Sequence, residues 1–200
     1  MEPASVHRGV LLRWFEELCR LNYKRLAEVT NKGHLALAAN EIPPQGGVYA
    51  FWWTGSLDKF RSTECNRIIH LPGPGGSLVP IEVDDDWLGL KAGLPIPLYI
   101  GKTAAGLRKR VGLHLMLKTD RLMQPAKGSR KIPAPTTSCQ LRAGVERFFP
   151  NSEDSRELVL HNVGLSYVVL PGPDHAVNRF YLEDLAIGMM QPPLNIDVER

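Results

Sequence analysis

Three short runs of strand-forming residues, each bordered by glycine or proline, constrain this chain most. Gly47 to Trp53 reads Gly-Val-Tyr-Ala-Phe-Trp-Trp, Pro97 to Gly101 reads Pro-Leu-Tyr-Ile-Gly, and 163–170 alternates Leu165, Tyr167 and Val169. Runs this short and this rich in aromatic and branched residues predict strands. Helical spacing occupies much of the rest. Residues 8–29 carry Leu11, Phe15 and Leu18 at intervals of four and three, with Leu21 and Leu26 at the edges of the stripe. Leu107, Val111 and Leu115 set a helix over 104–118, and further helices are predicted over 138–149 and 175–190. Pro192-Pro193 stops the last one. Pro171-Gly-Pro-Asp174 reads as a turn and helix cap. Ile68–Leu71 and Leu78–Val83 predict two more short strands around the Pro/Gly stretch that begins at Leu71, and the Pro-, Lys- and Ser-rich 124–137 reads as a loop. There is no internal repeat. The order predicts an α+β fold: a small three-stranded antiparallel or mixed sheet flanked by helices.

Composition narrows the class. At 200 residues and 22.3 kDa, with 44% hydrophobic and 22% charged residues, the chain suits one globular domain with a real core. No apolar run approaches a membrane span. Glu2, Arg13, Glu16 and Glu17 stand where a signal peptide needs apolar residues. Cys19, Cys65 and Cys139 are odd in number and far apart, which argues against a disulfide scaffold or zinc ribbon. A cytoplasmic location is the expectation.

Charge is unevenly spread. The total is +3, yet residues 102–147 hold eleven Lys/Arg against two acids, Asp120 and Glu146. That segment carries +9 and leaves −6 for the rest of the chain. Such a block is the footprint of a polyanion partner, or a solvated basic face. The acidic cluster from Glu82 to Asp86 could bind a metal, but its neighbours Trp87 and Leu88 read better as the start of a helix, with acids at its positive end.

Several side chains carry possible chemistry. Tyr49 and Tyr99 lie in the first two strand runs. Arg110 and His114 share one helix face after the second; a basic pair there could hold a phosphate, or be a snorkelling arginine beside a satisfied histidine. Glu183 sits in an arc of Ala176, Phe180, Ala186, Ile187 and Met190. Burying an unpaired carboxylate is costly, so Glu183 either pairs with Arg179, sits at the rim of the core, or is a metal ligand aimed into a cleft. Asn195 follows Pro192-Pro193-Leu194.

Taken together these residues resemble the GIY-YIG nuclease superfamily. Gly47-Val48-Tyr49 matches the first half-motif and Tyr99-Ile100-Gly101 the second. Arg110, His114, Glu183 and Asn195 match the family's helix arginine, its following histidine, its helix glutamate and its terminal asparagine. The resemblance covers about 45–53, 97–118 and 163–196. It leaves outside an N-terminal helical extension (1–40), an insertion at 54–96 and a basic insertion at 119–150. Tyr49 and Tyr99 are fifty residues apart, where the family usually joins the two strands by a short turn, so 54–96 is expected to be a structured insertion.

The resemblance implies a divalent-metal-dependent endonuclease that hydrolyses phosphodiester bonds in DNA. Glu183 would hold Mg²⁺ or Mn²⁺, with no organic cofactor. Arg110 would meet the phosphate charge and Tyr49 would be the general base. A free phenol has a pKa of roughly 10, so this role needs depression by positive charge. Tyr99 would orient the water or phosphate, His114 would contact the phosphate or move a proton, and Asn195 would brace the site. Lys102, Arg108, Lys109, Lys127, Arg130 and Lys131 are the expected nucleic-acid contacts. Arg61, Asn66, Arg67 and His70 in the first insertion are candidates for base reading. A compact core with inserts looks like some restriction enzymes of the superfamily, which work as homodimers. A repair-type, mobile-element or RNA-directed nuclease, or a DNA-binding accessory protein that does not cut, stays open. Phe51, Trp52 and Trp53 are either aromatic platforms for bases or core.

Overall fold

The computed structural model describes residues 8–20, 24–30, 41–73, 77–90, 95–115, 140–152 and 155–196. The expected loop at 124–137, Lys127, Arg130, Lys131 and Cys139 lie outside the described residues, as does most of the basic insertion.

The chain is α+β, with the elements α1 (Arg8–Cys19), β1 (Lys24–Arg25), α2 (Leu26–Val29), β2 (Gly47–Trp53), α3 (Asp58–Arg61), β3 (Ile68–Pro72), β4 (Leu78–Glu82), α4 (Asp85–Leu90), β5 (Ile96–Thr103), α5 (Leu107–Leu115), α6 (Gln140–Phe148), α7 (Ser155–Asn162), β6 (Val163–Val169) and α8 (Ala176–Met190). β2, β5 and β6 form an antiparallel sheet, but it is not three-stranded. Lys24 and Arg25 pair with Leu165 and Gly164 and add a fourth strand, giving the order β1-β6-β2-β5. A separate two-stranded sheet joins β3 to β4. The continuous helix expected over 8–29 therefore stops at Cys19, because pairing with β6 claims Lys24 and Arg25 as strand.

β2 is central and all seven of its residues are buried. Burial on both faces explains its near-continuous apolar sequence. Tyr49, Phe51 and Trp53 point to a core shared with Leu107, Val111 and Leu115 of α5 and with Phe148 and Phe149. Val48, Ala50 and Trp52 point the other way, against Leu18 of α1 and Leu182, Ala186 and Met190 of α8. Trp52 donates from Nε1 to Ser166 Oγ at 2.8 Å, and that hydroxyl donates to Leu18 O at 2.6 Å, so α1 is tied to the sheet through a buried relay. All three aromatics of this run are core, and none is left as a base platform.

Between β2 and β5 the described residues carry α3, β3, β4 and α4. Phe60 packs edge-on to Trp53, Phe148 and Phe149, and Trp53 stacks on Phe149 with centroids 5.3 Å apart. The residues Glu82–Asp86 lead into a helix: Asp84 Oδ1 accepts from Trp87 N at 2.6 Å, capping α4. Two of the expected base-reading residues also make contacts within the fold. Arg67 forks onto Asp85 at 2.7 and 3.1 Å, and Asn66 donates from its backbone to Phe148 O at 2.8 Å. Arg61 and His70 remain exposed.

The free edge of β5 is covered by the segment after α8. Leu194 N donates to Leu98 O at 3.1 Å, and Asn195 bonds both the N–H and the C=O of Ile100. The turn before α8 is held by Arg179, which donates to Leu170 O and Gly172 O at 2.6 and 2.9 Å. Residue Asp174 lies in a short 3₁₀ turn; the α8 N-cap is His175, which makes no side-chain cap bond. Among the described residues no helix is long and apolar enough to cross a membrane.

Candidate functional site

Register on β2 and β5 builds the centre of the site. Tyr49 sits directly opposite Gly101, and Phe51 opposite Tyr99. A Cβ added to Gly101 would lie 2.5 Å from Tyr49 Oη and 2.9 Å from Tyr99 Cε1. The glycine of the second motif is thus the space into which the Tyr49 hydroxyl reaches.

Helix α5 brings the basic pair to the same place. Gly106 (φ +129°) approaches Pro44, and Leu107 N donates to Gln45 O at 2.9 Å, so the segment before β2 sets the start of α5. That positive φ, which glycine tolerates, is why α5 starts at Leu107 rather than at 104. Four residues along one face then separate Arg110 from His114. Tyr49 Oη lies 2.6 Å from His114 Nε2, and Arg110 Nε donates to the same Oη at 3.4 Å. Arg110 also reaches the Tyr99 hydroxyl. The His114 ring lies 4.5 Å from the Tyr99 ring and 5.6 Å from Phe51. Residues separated by 65 and 61 positions in the chain thereby form one hydrogen-bonded cluster.

Burial governs its electrostatics. His114 is fully buried, and burial followed by the Arg110 charge pushes its pKa down from 6.5 to about 3. It is a neutral imidazole. Its Nδ1 is buried without a hydrogen-bond partner. An orphaned N–H costs more than a bare lone pair, so the proton belongs on Nε2, which donates to Tyr49 Oη. The phenol oxygen then faces two N–H donors, His114 and Arg110. Tyr49 nevertheless has its pKa raised, because burial outweighs the lowering by Arg110. Tyr99 is raised for the same reason. The depression expected of Tyr49 is thus absent from the resting protein: the positive charge is in place, but desolvation wins.

Glu183 reaches the site from the other side of edge strand β5. Its side chain is 6% exposed and its carboxylate Oε2 is ion-paired with Lys102 Nζ. The pairing with Arg179 weighed from sequence does not form, because Arg179 is spent on the carbonyls before α8. Glu183 lies near enough to Tyr49 and Tyr99 to raise the pKa of both. Lys102 also lies over the Phe180 ring, 5.2 Å from its centroid. Asn195 stands behind Ile100 and holds its backbone at 2.8 and 2.7 Å, without touching the cluster itself.

The donor set for a metal is this one carboxylate. Among the described residues no group of three or more His, Cys, Asp or Glu gathers to hold an ion. A single carboxylate does not suit a zinc or calcium cage. It does suit Mg²⁺ or Mn²⁺, which keep waters and take oxygens from a substrate phosphate.

The expected nucleic-acid contacts divide. Lys109 is exposed, whereas Arg108 donates to Ile42 O at 3.0 Å and Lys102 is committed to Glu183. Part of the basic block is structural: Arg142 is 2% exposed, bonding Glu146 at 2.9 Å and Leu115 O at 3.2 Å, and Arg147 donates to Ala143 O. Sequence reasoning missed the Lys102–Glu183 pair. Its signal was strand alternation, which sends Lys102 to the opposite face of β5 from Gly101, towards α8. A cleft of about 260 Å³ between Glu17, Arg20, Lys24 and Tyr167 lies away from these residues. Compared with protein-family models, curated proteins and solved structures, the chain matches none.

Proposed function

We propose that the chain is a GIY-YIG-type nuclease, a divalent-metal-dependent endonuclease that hydrolyses phosphodiester bonds in DNA. The observation that carries this reading is the convergence of Tyr49, Tyr99, Arg110 and His114 into one hydrogen-bonded cluster beside the buried carboxylate of Glu183.

Each side chain has a task in this chemistry. Arg110 offers a planar, permanently charged fork to the phosphate while holding both tyrosine hydroxyls. Tyr49 must first release its phenol proton to solvent water; the phenolate then takes the proton of the attacking water and is restored to the phenol. Its deprotonated form would be held by the N–H donors of His114 and Arg110, which offset part of the burial cost. His114, neutral across the physiological range, donates to Tyr49 and positions it. Tyr99 orients the water or phosphate from the other end of the Arg110 fork. Glu183 would hold Mg²⁺ or Mn²⁺, which when bound supplies Lewis-acid stabilisation of the phosphate and leaving oxygen. Asn195 fixes the edge of β5 and so the placement of Tyr99.

Plasmid cleavage with Mg²⁺ or Mn²⁺ tests the reading, with EDTA and Glu183→Ala as controls. Nicked, linear or discrete products that vanish in both controls support it, and discrete fragments add sequence specificity of a restriction type. Salt-sensitive DNA binding without cleavage, unaffected by EDTA, would replace it with the accessory-protein reading.

A further inference from the structure

The carboxylate of Glu183 is buried, so it needs a counter-charge. The protein supplies one from Lys102, a residue that strand alternation places beneath α8 and that the Phe180 ring steadies. A divalent ion needs the same oxygens. Two cations crowded onto one carboxylate repel strongly in a poorly solvated setting. The lysine is held by a single ion pair and a ring contact on a four-carbon stem, so it is the partner that can leave.

We propose that Lys102 is the resident counter-cation of Glu183 and that a divalent metal enters by displacing it. Lys102 thus sets metal affinity by competition. This rests on the metal-site role given to Glu183 above, and it extends that role to the residue that regulates occupancy.

The test uses the full chain and Mn²⁺ alone, with no DNA. Mn²⁺ binding is read by electron paramagnetic resonance. Lys102→Met keeps the stem against Phe180 and removes the charge. It should tighten Mn²⁺ binding roughly tenfold, about 1.4 kcal/mol. Lys102→Arg keeps a competing cation and should bind no more tightly than wild type. Glu183→Gln should abolish the gain in the Lys102→Met background. A second measurement needs no variant to fold. Acetylation of Lys102 in the wild-type protein, followed by mass spectrometry, should accelerate several-fold on adding Mn²⁺. Unchanged or weaker Mn²⁺ binding in Lys102→Met, or an acetylation rate indifferent to Mn²⁺, would overturn the proposal. Failure of the nuclease reading is separate: Mn²⁺ that binds Glu183 and competes with Lys102, in a protein that leaves plasmid intact, removes the nuclease assignment and keeps the competition.

Discussion

The two faces of β2 are equally buried and built to opposite ends. On one face Val48, Ala50 and Trp52 meet Leu182, Ala186 and Met190; the relay from Trp52 to Ser166 to Leu18 is satisfied, and the buried Glu183 carboxylate is paired with Lys102. On the other, Tyr49 carries a hydroxyl into a core that also encloses His114, whose Nδ1 has no partner, and a guanidinium held at its edge. The first face has these polar groups matched. The second accepts desolvated polar groups, an arrangement that costs stability and is characteristic of sites that do chemistry. The contrast teaches that burial alone does not separate core from site; what separates them is whether the buried polar groups are matched.

The largest effect expected is on activity. Tyr49→Phe should cut cleavage by about 10²–10⁴, the range for loss of a positioned acid–base group, while the protein stays folded by circular dichroism. Comparable cleavage in the Phe variant would erase the functional distinction between the faces. On the face towards α8, Leu182→Ala should cost about 2–5 kcal/mol in urea unfolding, with the folded fraction keeping its turnover. If turnover falls as steeply as in Tyr49→Phe, the faces are not separable.

Asn195→Leu tests the brace between them. It leaves the N–H and C=O of Ile100 unpaired, so stability should fall by about 1–3 kcal/mol. Asn195→Asp should not rescue it, because a carboxylate has no donor for the Ile100 carbonyl. Equal stability of Asn195→Asp and wild type would remove the two-sided bond from the account.

A smaller and graded effect comes from His114. Its folded pKa of about 3 lies below the ordinary 6.5, so between those values the unfolded chain binds a proton that the folded one refuses. Stability should therefore be full above about pH 6.5 and decline as pH falls towards 3, by at most about 1.4 kcal/mol per pH unit from this group. Urea midpoints measured from pH 7.5 down to 4.5 check it, and His114→Gln should flatten the slope. A slope unchanged in that variant would place the pH sensitivity elsewhere.

Much of the fold was legible because its signals are local. The apolar runs of β2, β5 and β6 and the 3.6-residue spacing of α5 and α8 carry their own register. β1 was not legible: Lys24 and Arg25 have no strand signature and become one by pairing with Gly164 and Leu165. The short helix α7 was likewise not anticipated, since Ser155–Asn162 shows little periodicity and is fixed by its neighbours.

For the site, the sequence by itself determined which residue types stand on which elements: two strand tyrosines, an arginine and histidine four apart, a glutamate in an apolar arc and an asparagine after two prolines. Those are properties of neighbours in the chain. The tertiary structure alone decided their pairing. It gave Glu183 to Lys102 rather than Arg179, aimed Tyr49 at His114 through the gap left by Gly101, and turned Arg142 inward although the sequence counts it in a basic block. The reason is that desolvation and hydrogen bonding are summed over whatever surrounds a group in space, and sequence spacing fixes that environment only within a turn of helix or a pair of strand residues.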